Sequence, residues 1–221
     1  MTTVDLLGWT ATFVGTVLAL PQLVRLVRTG NVEGLSLVSW QTALLLNLAW
    51  TMHGINIGQL PQILSSSLAL FTTVPILVLM ARALRLRVFP TMVPSLVAAA
   101  TMIAVDGYLG SAAYGVVAII PGIVITAAQS VELVRARHVR GVSPLSMSLG
   151  FLNLTLWVVW AALVNDSGTM IAVSTSWFVV LFNVVWYVLR RLGLRPFLMP
   201  VAEPEPVLVT VPARDGARPE Y

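Results

Sequence analysis

The sequence predicts an all-α membrane protein with seven transmembrane helices, arranged as two parallel three-helix repeats joined by a linker helix (3+1+3). Three observations lead there. Of 221 residues, 57% are hydrophobic and 10% are charged, against about 25% charged in an ordinary soluble domain. The apolar residues fall into seven runs of roughly 20, the length that crosses about 30 Å of hydrocarbon at 1.5 Å per residue. Finally, shifting the chain against itself by 107 residues aligns its two halves without a gap.

The first run, about residues 5–27, contains a Pro-Gln pair, Pro21-Gln22, and ends on Arg25 and Arg28. A Gly-Leu-Ser restart leads into the second, about 37–57, with Asn47 near its centre. The third, about 60–82, is rich in hydroxyls and closes on Arg82. The fourth, about 91–109, has no counterpart under the shift. The fifth, sixth and seventh, about 112–135, 144–164 and 168–189, repeat the first three. The corresponding units are 1–86, a linker helix at 87–110, and 111–192. The rest, 193–221, is rich in Pro, Glu and Arg and reads as a disordered cytoplasmic tail.

The repeat rests on about 15 identities in the pairs from Gly8/Gly115 to Trp50/Trp157, among them Gly15/Gly122, Gln22/Gln129, Arg28/Arg135 and Ser36/Ser143. An odd number of helices per copy would invert the second copy, and the unpaired fourth helix turns it back. The copies are therefore parallel, related by an axis along the membrane normal.

All thirteen cationic residues are arginine. Arg25, Arg28, Arg82, Arg85, Arg87, Arg135, Arg137, Arg140, Arg190, Arg191 and Arg195 all fall in alternate connections, and Arg214 and Arg218 in the tail. The positive-inside rule places these in the cytoplasm and the N-terminus outside, with Asp5, Asp106 and Asp166 on the outer face. The start "MTTVD" lacks the basic region of a cleaved signal peptide. This charge pattern accounts for the net +4 without a nucleic-acid partner.

No cysteine is present. Of the two histidines, His53 lies near the outer end of the second run and His138 in a cytoplasmic connection, with no carboxylate cluster beside either in the sequence. Neither a metal site nor acid–base catalysis is expected, because both need converging ligands or titrating groups. No cofactor is implied and the chain is not expected to be an enzyme. Glu132, next to Arg135, is the one acid read as lying within the membrane, and it suits a structural ion pair better than a proton relay.

Asn47 lies three residues before Trp50 and Asn153 four before Trp157. Each pair thus shares a helix face, with the amide at the bilayer midplane and the indole about 6 Å further out. Tryptophan is also enriched in interfacial belts, a role that suits Trp9, Tyr108, Tyr114 and Trp160 outside and Trp40, Trp186 and Tyr187 inside. Trp50 and Trp157 are too deep for that, and read as walls of a pocket. Pro21 removes a helix hydrogen bond and is either a static kink or a hinge. Gln22 and Gln129, matched under the repeat, suggest an amide pair near the pseudo-symmetry axis.

"PQLVRLVRTGNVEGLSL", together with "LNLAW" and "LNLTLW", resembles the PQ-loop family, and the 3+1+3 order resembles its SWEET and SemiSWEET sugar transporters, over about residues 7–190. The second repeat has Ala128-Gln129 in place of Pro-Gln, with Pro121 higher in the same helix. The resemblance implies an alternating-access carrier, with Pro21, Gln22, Gln129 and Pro121 at the hinge or gate. It also implies a substrate-contacting position about 16 residues after each tryptophan, an asparagine in the SemiSWEETs. The count reaches Ser66 in the first repeat and, in the second, Val173, or Ser174 if one residue is inserted in the preceding loop, so Ser66 and Ser174 are taken as the hydroxyl candidates, although small hydroxyl residues also serve helix packing. With Trp50, Trp157, Asn47 and Asn153 these make the predicted substrate site. The expected function is uncoupled transport of a small neutral polar solute, a sugar first, across the plasma membrane. A proton-coupled amino-acid exporter and a non-transporting seven-helix receptor or sorting protein are the alternatives. The partners are the solute and the lipid bilayer, with homo-oligomerisation left open.

Overall fold

The computed structural model describes residues 2–32, 35–135 and 143–194. Arg137, His138, Arg140, the side chain of Glu132 and the tail from Arg195 onward lie outside the described residues. The described chain is all helical: α1 (Thr3–Thr29), α2 (Leu37–Asn56), α3 (Leu60–Ala83), α4 (Val88–Leu109), α5 (Ser111–Arg135), α6 (Pro144–Val164) and α7 (Ser167–Arg191). Six of them, all but α2, are long and apolar enough to cross a membrane. The expectation of seven such helices is thus met by six. The exception has 20 residues and carries Gln41, Asn47, His53 and Asn56, which lower its hydropathy.

The helix ends follow from local chemistry. α1 starts in a capping box, with Thr2 accepting from the Asp5 amide and the Asp5 carboxylate accepting from the Thr2 amide. It stops at Gly30, whose φ of 61° is left-handed backbone that glycine adopts without steric cost. The Gly-Leu-Ser restart is a helix cap: Ser36 Oγ accepts from the Ser39 amide at 3.2 Å. Its repeat partner Ser143 does the same for Ser146 at 3.3 Å. Pro21 sits on the exposed side of α1, which continues as helix through it, and Pro121 is buried within α5.

α1 packs against α3 and α6, and α5 packs against α7 and α2. Under the shift these are the same relations, within one copy and across to the other. The close approaches repeat as well. A Cβ on Gly8 would fall 2.8 Å from Pro61, and one on Gly115 would fall 2.5 Å from the carbonyl oxygen of Gly168; Gly8/Gly115 and Pro61/Gly168 are both 107 apart. α4 lies against α2, α3 and α5.

Three apolar clusters hold the bundle. Leu26, Ile76 and Met80, joined by Trp40, lie at the end where α1 and α3 carry their arginines. Leu133 and Met147, with Trp186 and Tyr187, mirror them in the second copy. Ala49, Met102, Tyr114, Ala118 and Ala172 form a central cluster with Trp50 at its edge. Among the described residues, α1 and α5 do not pack against each other. Gln22 Nε2 is buried with no hydrogen-bond partner among the described residues, so the predicted Gln22–Gln129 amide pair is not formed.

Candidate solute cavity and an amino-terminal ion cluster

A cavity of about 270 Å³ lies between α1, α2, α3, α6 and α7. Asn47, Trp50, Ser66, Asn153 and Trp157 all line it. Ser174 does not: Val173 stands there, the residue that the ungapped repeat pairs with Ser66. No charged side chain is among its lining residues.

The two asparagines differ. Asn47 donates through Nδ2 to Thr73 Oγ1 at 3.0 Å, which fixes its amide. The Asn153 amide faces Gly15, where a Cβ would stand 3.5 Å from Nδ2, and its Oδ1 has no partner among the described residues. A buried acceptor left unpaired costs about 1–3 kcal/mol. Gln62 lines the cavity too and is 3% exposed. It bonds Thr169 Oγ1 at 3.3 Å, its own repeat partner, so this amide links the copies across the cavity. Neither Gln62 nor Thr169 was among the predicted site residues, although the 107-residue shift already pairs them.

At the amino-terminal end of the bundle is a feature the sequence reading missed. His53 is fully buried. Its Nδ1 lies 2.9 Å from Asp106 Oδ2, and its Nε2 3.1 Å from Asp166 Oδ2. The expectation that no carboxylate accompanies this histidine is therefore corrected. The partners lie 53 and 113 positions away, and only the folding of α4 and of the α6–α7 connection beside α2 brings them together. Asn56 Nδ2 donates to Asp106 at 2.8 Å, and Ser111 Oγ to Asp166 at 2.7 Å. Asp166 also caps α7, accepting from the amides of Gly168 and Thr169. Burial would push its carboxyl up, but the hydrogen bonds from His53, Thr169 and Ser111 outweigh this and hold it at about 2.

Tyr114 stacks on the imidazole at 4.5 Å with the rings 6° from parallel, and Trp50 meets both rings edge-on. Tyr114 and Trp160, read from sequence as interfacial belt residues, are in fact fully buried, whereas Tyr108 is 89% exposed and fits a belt. The repeat explains Trp160: it occupies in the second copy the place of His53 in the first. Trp157 and Trp160 form the same edge-on pair at 5.2 Å that Trp50 and His53 form at 5.6 Å. A titratable ring thus stands in one copy where an indole stands in the other. Among the described residues, no group of His, Asp or Glu is arranged to hold a metal ion; both nitrogens of His53 are already directed at carboxylates.

Residues 3–63 match the PQ loop repeat family. The match covers α1, α2 and the start of α3, which hold the Pro-Gln pair, Asn47, Trp50 and His53, and it supports a place for the chain in the PQ-loop family. With six apolar helices long enough to span, it supports a multi-pass membrane protein. No curated protein matches the chain.

Proposed function

We propose, taking the PQ loop repeat match as premise, that the chain is an alternating-access carrier of the SWEET type for a small neutral polar solute, with sugars as the class it suits best. One observation carries this reading: two indoles at matched repeat positions, Trp50 and Trp157, line the same uncharged cavity as Asn47, Asn153, Gln62 and Ser66. Indole faces suit the apolar side of a sugar ring, and amides and hydroxyls suit its hydroxyl groups. A net charge on the solute would be uncompensated there. The volume, below the roughly 300 Å³ where sites for drug-sized ligands begin, favours a small solute.

In this reading 1–86 and 111–192 are parallel three-helix repeats, α4 joins them, and they rock about the cavity. The arginine-bearing end faces the cytoplasm, the N-terminus is outside, and the membrane is the plasma membrane. Pro21, Gln22 and Gln129 lie in the moving cytoplasmic half and Pro121 near the middle of α5, with Pro21 free to flex because its ring leaves one carbonyl of α1 unbonded. Ser174 is left out of the site. The solute moves down its own gradient.

Flux of a panel of radiolabelled mono- and disaccharides into proteoliposomes, with and without a proton gradient, tests the reading. Saturable uptake of at least one sugar, lost in Trp157→Ala, is the expected result. No uptake of any sugar by folded protein would overturn it.

A further inference from the structure

We propose that His53, Asp106 and Asp166 form a proton-binding site that locks the amino-terminal end of the bundle shut, so that opening at that end releases a proton to the same side. The argument starts from hydrogen counting. An imidazole whose two nitrogens both lie 2.9–3.1 Å from carboxylate oxygens needs a hydrogen in each contact. A neutral imidazole carries one. With one hydrogen, one nitrogen would turn its lone pair on a carboxylate oxygen at hydrogen-bond distance, which is repulsive unless that carboxyl carries the hydrogen; Asp106 Oδ2, facing Nδ1, already accepts from Asn56 Nδ2, which assigns the hydrogen to the ring. The cluster as built therefore holds an imidazolium between two carboxylates.

Among the described residues, the surroundings leave His53 no other supply of hydrogens or charge. Among the elements packed on α2, α4 brings Asp106 to the ring, α5 brings Tyr114, and α3 has no titratable side chain except Arg82 at its far end. The α6–α7 connection adds Asp166. Within α2 itself, Trp50 and Asn56 are the near polar groups, and both are neutral. The Asp166 carboxylate already accepts from Ser111 Oγ and from the amides of Gly168 and Thr169, contacts that favour its ionised form, so the hydrogen between it and His53 belongs to the ring.

The site is placed where closure is decided. His53 belongs to the first copy, Asp166 precedes α7 of the second, and Asp106 ends the joining helix. A movement that parts the two copies at this end must separate Asp166 from His53. The ring then faces one carboxylate instead of two and holds its second hydrogen less tightly. Closure therefore takes up a proton and opening gives it back, and raising the pH favours opening. Asp166 caps the helix whose Thr169 bonds Gln62 on the cavity wall, and Trp50 touches both His53 and the cavity, so the state of the lock reaches the solute site directly. Because the proton enters and leaves on one side, the carrier is set by external pH yet moves no net protons.

Two measurements on the full chain test this. With His138→Asn, His53 is the single histidine, and nitrogen NMR of the labelled ring reads its hydrogens. Two protonated nitrogens at pH 5 and loss of one before pH 10 are expected. A bare nitrogen at pH 5, or two protonated nitrogens still at pH 10, overturns the proton site, independently of any transport. The second measurement rests on the carrier reading. Ser65→Cys places a thiol on the cavity wall of this cysteine-free chain, and an impermeant methanethiosulfonate reagent labels it from outside, with Thr3→Cys as the exposed reference. Once thiolate formation is divided out by that reference, the labelling ratio should rise about tenfold per pH unit through the titration, the slope for one proton released on opening. The slope should disappear in His53→Gln, or in Asp106→Asn should the former not fold. A flat wild-type ratio, or an unchanged slope in a folded variant, overturns the lock.

Discussion

Replacing Asn153 with leucine separates a residue held for the solute from one held for the fold. Its Oδ1 is buried and unpaired, which costs roughly 1–3 kcal/mol that leucine does not incur. Gly15 opposite carries no side chain, and even a Cβ there would stand 3.5 Å from the Asn153 amide. Stability should therefore be unchanged or raised. The solute, by contrast, would lose up to two amide hydrogen bonds of about 1 kcal/mol each, together about a 30-fold loss in affinity. The assay is paired: thermal unfolding in detergent, and uptake of the transported sugar at concentrations below half-saturation in proteoliposomes. A protein that melts at or above the wild-type temperature but takes up less than a tenth as much sugar is the expected outcome. A fall in stability of more than about 1 kcal/mol would make Asn153 a packing residue, and normal uptake would remove it from the site.

Further outcomes test other parts. Asp166→Asn should cost at least about 1 kcal/mol at pH 7. Because the carboxyl is lowered from 3.8 to about 2, its stabilisation is complete above about pH 4 and is lost as the pH falls through 2, so the gap between variant and wild type should close over that window in an unfolding titration. Gly115→Ala places a Cβ 2.5 Å from a backbone oxygen of α7 and should destabilise by about 1–3 kcal/mol in thermal melts, while Gly107→Ala, with open space around it, should not. Pro21→Ala should slow exchange between the two facing states by stiffening α1, read as a lower maximal rate at unchanged half-saturation; wild-type rates would leave Pro21 a static kink. Cysteine at Thr3, but not at Gly30, should react with an impermeant reagent from outside, and the reverse would invert the orientation.

The fold was legible because its signals are local or periodic. Apolar run length marked the helices to within about three residues, Ser36 and Ser143 marked the restarts of α2 and α6, and two close approaches, Gly8/Pro61 and Gly115/Gly168, are related by the 107-residue shift. Residues that line the cavity could be found where depth, helix face and repeat position agreed, as at Trp50 and Trp157. Ser174 failed because it needed an inserted residue that the chain does not contain. The His53 cluster was hidden for a different reason. One carboxylate comes from α4, which the repeat does not duplicate, and another from a connection, so neither periodicity nor symmetry pointed to them. The usable clue was the pairing of His53 with Trp160: equivalent places in two copies, one aromatic and apolar, the other able to carry charge.

The two walls of the cavity have drifted apart. Under the repeat, Asn47 corresponds to Leu154 and Ser66 to Val173, while Asn153 corresponds to Leu46, so the polar groups of the two walls stand at non-equivalent positions. Two identical walls would accept a solute equally well in either of two orientations related by a half-turn. Here the degeneracy is broken, because no half-turn carries the polar groups of one wall onto those of the other. A binding site that has lost its twofold symmetry can tell one end of a solute from the other, and so can distinguish isomers that differ only in which edge carries a hydroxyl.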